Sequence, residues 1–233
     1  MQARLQIPEG TRKSLVSLMY ANNEIGSLLD LPIVEQLCRQ YDAVFHSDCV
    51  QAVGHYPMDL SASYVHYISA SGHKFHGPKG VGILYVSPSA KAGPLIHGGS
   101  QERNMRAGTE NVYGIVGFAT ALDIAMRSYR EDSHYIGELK GYMRELLEKR
   151  LPCVRFNGPI LGLYTVLSVC FPKGAASEGL LLHLDQADIC VSGGSACSSY
   201  DMQDRIMAVW NPSFLTVFRQ VPQLCSSMMP MET

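Results

Sequence analysis

The sequence contains no uninterrupted apolar run near the roughly 18 residues that a membrane-spanning helix needs, and it has no marked excess of either charge. The 19 basic and 21 acidic side chains leave a formal net charge of −2, which argues against a polyanionic partner such as nucleic acid. The first residues, "MQARLQIPEGTRKS", lack the apolar segment of a secretory signal peptide. We therefore expect a cytoplasmic protein with no membrane span and no nucleic-acid partner.

The seven cysteines include no C-x-x-C pair, and their odd number favours reduced thiols over a disulfide framework. Cys38, Cys170 and Cys190 fall in apolar helix or strand patterns, so we predict that they are core residues. Cys197 differs, because "VSGGSACSSY" surrounds it with small, flexible residues that suit an accessible thiol. Cys197 is therefore a candidate nucleophile, although such loops also surround inert cysteines.

The pattern of apolar residues over the 233-residue chain predicts strands alternating with helices, which is typical of an α/β sheet covered on both faces. Strands are predicted at 14–20, 43–48, 64–70, 80–86, 164–171 and 188–192. Helices are predicted at 31–41, 111–130, 133–150 and 177–184, the first with Asp30 as its N-cap. We divide the chain into a larger α/β domain, 1–132, and a smaller α/β unit, 133–233.

The stretch "SGHKFHGPKG", residues 71–80, admits three interpretations. Gly72 and Gly77 have the spacing of a phosphate-binding loop, but no Ser or Thr is placed to hold a magnesium ion. A metal site would use His73 and His76, with His66 further back, but no acidic ligand lies nearby, and we predict no metal. The third interpretation is a Gly/Pro turn between strands, which leaves Lys74 free for a functional role.

Polar side chains follow three successive predicted strands, at the point where each strand ends. In an open parallel sheet these carboxyl ends line the ligand crevice, so we expect the side chains to meet in one pocket. The candidates are Asn23, Asp48, Gln51, Ser71, His73 and Lys74.

Five motifs stand in one order along the chain: "ANNEIG", "HSDCVQAVG", "SGHKFHGPKGVGILYV", "HGGSQERNMRAGTEN" and "SGGSACSS". In order and spacing they resemble the cysteine desulfurases of the class V aminotransferase family, over roughly residues 14–199. The resemblance implies an aspartate-aminotransferase-like fold, the fold type I of pyridoxal-phosphate enzymes. It implies part of the large domain with a mainly parallel sheet, and part of the small C-terminal domain with the reactive-cysteine loop. It also implies pyridoxal phosphate as the cofactor.

The resemblance assigns a role to each matching residue. Lys74 matches the lysine that forms a Schiff base with pyridoxal phosphate, and Asp48 matches the aspartate paired with the pyridinium nitrogen. Ser71 and His73 match phosphate ligands, and Thr109 matches a threonine that reaches the phosphate of the neighbouring subunit. Asn23 and Gln51 match residues that hydrogen-bond the phenolic oxygen of the ring. Cys197 matches the cysteine that carries sulfur as a persulfide.

The implied activity is conversion of L-cysteine to L-alanine, with sulfur delivered to an acceptor or scaffold protein, for iron–sulfur cluster assembly or another use. A homodimer is implied as well. The alternatives are a selenocysteine lyase, another pyridoxal-phosphate lyase or transaminase of the same fold, and a non-catalytic remnant. The last is suggested because no arginine after "ACSS" aligns with the one that binds the substrate carboxylate; Arg219 is nearest, but its neighbours do not match. By this comparison we expect a truncated chain.

Overall fold

The computed structural model describes residues 13–172 and 179–193, and the backbone of 206–209. The chain divides into two compact units. The first contains the described residues up to Ala21 together with Leu29–Tyr129, and the second contains Asn22–Leu28 and the described residues from Arg130 onward. The assignment of a cofactor-binding domain to 1–132 and a small domain to 133–233 stays a prediction. No helix in the described part of the chain is long and apolar enough to cross a membrane.

The first unit is built on a four-stranded sheet with the strand order β1-β2-β3-β4. Its strands are β1 (Leu15–Met19), β2 (Val44–Asp48), β3 (Tyr67–Ser71) and β4 (Gly82–Val86). The first three strands are parallel, and β4 runs antiparallel to β3. The expected α/β fold with a mainly parallel sheet is therefore confirmed, and each of these four strands lies within a few residues of its predicted position.

Helix α1 (Leu31–Gln40) begins where the sequence predicts it. The Asp30 carboxylate accepts the Ile33 amide proton at 3.2 Å, which satisfies one of the free N–H groups of the first turn. Pro32 stands in the same turn, where a missing amide proton costs no helical hydrogen bond. The inner face of the helix buries Cys38 completely, as predicted for that thiol.

Two helical segments follow the sheet of the first unit: a four-residue segment, α2 (Gln101–Asn104), and the long helix α3 (Val112–Arg150). The prediction of two helices meeting near residue 132 is wrong, because α3 is continuous over 39 residues. The Ser133 hydroxyl donates back to the Arg130 carbonyl at 3.3 Å instead of capping a new helix. No Gly or Pro interrupts the chain at this point, so the helix has no reason to end there.

The second unit has a three-stranded antiparallel sheet and a short helix. Its elements are β5 (Arg155–Asn157), β6 (Val166–Cys170), α4 (Leu180–Gln186) and β7 (Ile206–Val209). The central strand β6 packs against α3 through a cluster of Leu147, Leu167 and Val169. Strand β6 and helix α4 were predicted, whereas β5 and β7 were not.

The predicted strand at 188–192 is wrong, because a turn follows α4 instead. The Ile189 amide donates to the Leu184 carbonyl at 2.8 Å and closes the end of the helix. Asp188 adopts a left-handed φ of 59°, which is incompatible with an extended strand. As a consequence Cys190 is exposed, and its prediction as a core thiol is wrong; Cys170, at the end of β6, is half-buried.

Candidate active site

The carboxyl ends of β2 and β3 lie side by side at one edge of the sheet. The main-chain pairing continues past the strands, because the Tyr20 amide donates to the Asp48 carbonyl at 2.8 Å. In the same way the Cys49 amide donates to the Ser69 carbonyl at 2.9 Å. Asp48 ends β2 and Ser71 ends β3, so these two candidate residues belong to the same edge.

Asp48 is half-buried, and its local backbone holds its carboxylate in place. One carboxylate oxygen accepts the Val50 amide proton at 3.0 Å. The chain then turns, with the Ala52 amide donating to the Cys49 carbonyl at 2.9 Å, and Gln51 lies half-buried in this turn. A fixed carboxylate at a sheet edge is suited to pair with a protonated ring nitrogen.

A row of polar side chains crosses the sheet two residues before Asp48, on the same face. His46 lies two residues before Asp48 on β2, and therefore on the same face of the sheet. Its Nδ1 is 2.8 Å from the Ser17 hydroxyl of β1, and its Nε2 is 3.3 Å from the Ser69 hydroxyl of β3. These hydrogen bonds connect three neighbouring strands beneath the candidate site.

Lys74 stands on a single 3-10 turn, Gly72–Phe75, between β3 and β4. The turn is held from both sides, because the Gly72 amide donates to the Val81 carbonyl at 3.0 Å and the Gly77 amide donates to the Gly72 carbonyl at 2.9 Å. Phe75 is only 1% exposed and packs edge-to-face on Phe118, with ring centroids 5.0 Å apart. The Lys74 side chain itself is exposed. A fixed backbone therefore presents an amine that is accessible for covalent chemistry.

Ser71 and His73 form a hydrogen-bonded pair beside Lys74. The Ser71 hydroxyl lies 2.8 Å from Nδ1 of His73. A hydroxyl and an imidazole at one sheet edge supply donors suited to a phosphate group. His66, the third histidine of the metal interpretation, instead accepts the Phe45 amide proton at 3.2 Å.

His55 is a residue of this site that the sequence analysis did not single out. Its Nε2 donates to the main-chain carbonyl of Lys74 at 3.1 Å. Burial lowers the pKa of His55, the hydrogen bond to the Lys74 carbonyl opposes this effect, and the electrostatic interaction with His76 adds to the lowering. The two residues are 19 positions apart, so no sequence motif could have indicated their contact.

Thr109 is exposed in a loop that precedes the long helix. The Arg106 guanidinium donates to the Gly108 carbonyl at 3.1 Å and to the Thr109 carbonyl at 3.3 Å. The Gly108 amide also donates to the Gln101 side chain at 3.1 Å. The loop backbone is thus fixed by its own side chains while the Thr109 side chain is exposed to solvent.

Asn23 and Cys197 are the two predicted site residues outside this group. Asn23 belongs to the second unit, in a turn capped by its neighbour: the Asn22 side chain accepts the amide protons of Glu24 and Ile25, both at 2.9 Å. Cys197 lies outside the described residues.

Cys49 directly follows Asp48 but is poorly suited to act as a nucleophile. Burial raises the pKa of its thiol to about 11, and the adjacent Asp48 carboxylate acts in the same direction. The thiolate is the reactive form of cysteine, so this residue stays protonated and inert at neutral pH.

A carboxylate and a lysine at the carboxyl edge of parallel strands fit an α/β protein of the pyridoxal-phosphate fold type I class. Two solved NifS-like structures support this fold. One, titled "NIFS-LIKE PROTEIN", has a TM-score of 0.80 at 32% identity and covers 98% of this chain and 63% of its own. The NifS-like protein from Rickettsia africae has a TM-score of 0.81 at 29% identity, and the match covers 95% of this chain and 65% of that one.

The chain belongs to the aminotransferase class-V family, which matches residues 5–216. Cysteine desulfurase IscS of Dictyoglomus turgidum is 44% identical over 192 residues, which is 81% of this chain and 48% of that protein. Cysteine desulfurase IscS of Clostridium botulinum strain Hall is 43% identical over 187 residues, or 79% and 47%. The chain thus spans about half the length of the curated relatives it matches.

Proposed function

We propose that the chain supplies the lysine and the sulfur-carrying cysteine of a pyridoxal-phosphate-dependent cysteine desulfurase. The observation that supports this most directly is the fixed 3-10 turn of Lys74, next to the edge that carries Asp48. The names of the relatives, cysteine desulfurase IscS, favour L-cysteine as substrate and iron–sulfur cluster assembly as the use of the sulfur. We expect the protein to act in the cytoplasm, where thiols stay reduced.

The residues at the sheet edge fit the chemistry of pyridoxal phosphate. Asp48 offers a carboxylate for the pyridinium nitrogen, Lys74 offers an amine for the aldehyde, and Ser71 with His73 offers donors for the phosphate. Gln51 and Asn23 would contact the phenolic oxygen of the cofactor ring. Thr109 would contact the phosphate of the cofactor in the partner subunit. When bound, the cofactor supplies an electron sink that lets a carbanion form next to the amino group.

Cys197 is the proposed sulfur acceptor. Its thiolate attacks the substrate sulfur, so that an S–S bond forms while the C–S bond of the substrate breaks. The carbon that loses sulfur gains a proton, which turns L-cysteine and the Cys197 thiol into L-alanine and a Cys197 persulfide. The reaction is balanced without an external oxidant or reductant. The outer sulfur then passes to an acceptor or scaffold protein.

A homodimer is part of the proposal. Several large apolar side chains around the Thr109 loop and the start of α3 are exposed in the single chain: Leu95, Ile96, Val112, Tyr113 and Val116. Tyr113 is 93% and Leu95 92% exposed, which is unusual for such residues unless a second molecule covers them. Sedimentation of the purified protein tests this point, because a monomer at micromolar concentration would contradict it.

The experiment for the cofactor role is borohydride reduction of the protein with pyridoxal phosphate, followed by peptide mapping. We expect the label on Lys74 and its loss in Lys74→Ala. Lys79→Ala is the matched control, because Lys79 is also exposed and lies in the same connection between β3 and β4. A label on Lys79, or cofactor trapping unchanged by Lys74→Ala, would contradict the assignment.

The experiment for the sulfur role measures alanine release from L-cysteine together with alkylation mapping of the persulfide. Cys197→Ser should abolish the persulfide and leave cofactor binding intact, since other residues hold the cofactor. Cofactor binding with transamination but without persulfide would favour a transaminase. The rate with selenocysteine distinguishes a selenocysteine lyase, and failure to bind the cofactor would favour a non-catalytic remnant.

A further inference from the structure

We propose that His55 is a positioning residue for Lys74, a role that rests on the proposed function of that lysine. The imidazole Nε2 donates to the main-chain carbonyl of Lys74 at 3.1 Å. This hydrogen bond ties the turn after β2 to the turn after β3. It thereby fixes the orientation of the peptide from which the Lys74 side chain extends.

The chemistry of the contact determines the state of the ring. A carbonyl oxygen only accepts hydrogen bonds, so the Nε2 atom of His55 must carry a proton. The partly buried position disfavours the imidazolium, and the neutral ring that makes this contact has its single proton on Nε2. The Lys74 carbonyl thus selects one tautomer of His55, which makes the contact measurable.

The residue next to His55 holds the other side of the same turn. Gly54 has φ +82° and approaches Phe75 so closely that a Cβ atom on Gly54 would lie 2.5 Å from Phe75 Cβ. Phe75 is buried and follows Lys74 directly. The dipeptide of Gly54 and His55 therefore contacts two consecutive residues of the turn, one by packing and one by a hydrogen bond. A residue in a covalent role requires such a double contact, because a backbone displacement of about 1 Å would misplace its reactive atom.

The first experiment uses the unsubstituted chain and needs no cofactor. Nitrogen-15 NMR of the histidine rings reports which nitrogen carries the proton. We expect the Nε2-protonated tautomer for His55 at neutral pH. A neutral His55 with its proton on Nδ1 would overturn the proposal, since that ring cannot donate to the Lys74 carbonyl.

The second experiment compares two substitutions at the same position. His55→Phe keeps a planar ring but removes the donor, whereas His55→Gln keeps an N–H donor of similar reach. We expect His55→Phe to reduce the yield of pyridoxal phosphate trapped on Lys74 by about three- to tenfold, the effect of one hydrogen bond. Amide hydrogen exchange in residues 72–77 should become faster to a similar degree. His55→Gln should restore most of both.

His66→Phe is the matched control. His66 also contacts the backbone through a ring nitrogen, but it directly precedes β3 and contacts Phe45 of β2 instead of the Lys74 turn. It should leave the trapping yield and the exchange of residues 72–77 unchanged. The proposal is overturned if folded His55→Phe traps cofactor as the unsubstituted chain does, or if His66→Phe causes the same loss. If the unsubstituted chain traps nothing on Lys74, the proposed function fails, while the tautomer and the exchange rates still decide the role of His55.

Discussion

Substitution of Gly54 by alanine should destabilise the protein strongly, for two separable reasons. The φ of +82° is in the left-handed region, where an L-residue costs about 1–2 kcal/mol. The added Cβ would also lie 2.5 Å from Cβ and 2.6 Å from Cγ of Phe75. Phe75 is 1% exposed and cannot swing away, so overpacking adds about 1–3 kcal/mol. We expect a total loss of about 2–5 kcal/mol in the free energy of unfolding.

Gly80→Ala separates the two contributions. Gly80 has nearly the same φ, +78°, but no atom lies within 4 Å of the position its Cβ would take. Both substitutions reduce the entropy of the unfolded chain equally, so that effect cancels in the comparison. The assay is urea unfolding monitored by far-ultraviolet circular dichroism. The dependence of the free energy of unfolding on urea concentration should be the same in both variants. Gly54→Ala should lose about 1–3 kcal/mol more than Gly80→Ala. Equal losses would refute the argument that Phe75 is tightly packed on Gly54.

Three further predictions concern single side chains. Asp30→Ala should lower the free energy of unfolding by about 1 kcal/mol through loss of the cap on α1, and Asp30→Asn should retain it. Lys140 donates to the Leu163 carbonyl at 2.9 Å, so Lys140→Met should cost about 1–3 kcal/mol in urea unfolding. The pKa of Cys49 is raised from 9.0 to about 11, so the unfolded chain ionises first. The contribution of Cys49 to stability should be constant below pH 9 and then fall by about 2–3 kcal/mol up to pH 11, and Cys49→Ala should lack this part of the loss.

The elements that the sequence predicts well are those with a local cause. The four strands of the first unit's sheet are short apolar runs bounded by polar turns, and α1 has a capping carboxylate and a proline in its first turn. The order of polar residues at strand ends was enough to place Asp48, Ser71 and Lys74 at one edge, because parallel strands share that edge. These predictions needed only periodicity and the geometry of a parallel sheet.

The predictions that failed depend on contacts that are distant in the sequence or on competing hydrogen bonds. A new helix was predicted to begin at 133, but the Ser133 hydroxyl bonds to the previous turn of one continuous helix. Strand β7 pairs with β6 across some 40 residues, which no local pattern indicates. The hydrogen bond from His55 to Lys74 is equally non-local. The positions of residues at strand ends were therefore easier to predict than contacts between residues that are distant in the sequence.

The direction of β4 explains why the lysine lies where it does. The crossovers from β1 to β2 and from β2 to β3 join parallel strands, so each leaves the carboxyl edge and returns at the opposite end of the sheet. Strand β4 is antiparallel, with Ser71 opposite Gly82, so the whole connection 72–81 stays at the carboxyl edge. That connection is long enough for a 3-10 turn and short enough to be held by hydrogen bonds at both ends. An amine placed there stays beside the strand that ends in Asp48, whereas a lysine in either crossover could be carried away from it.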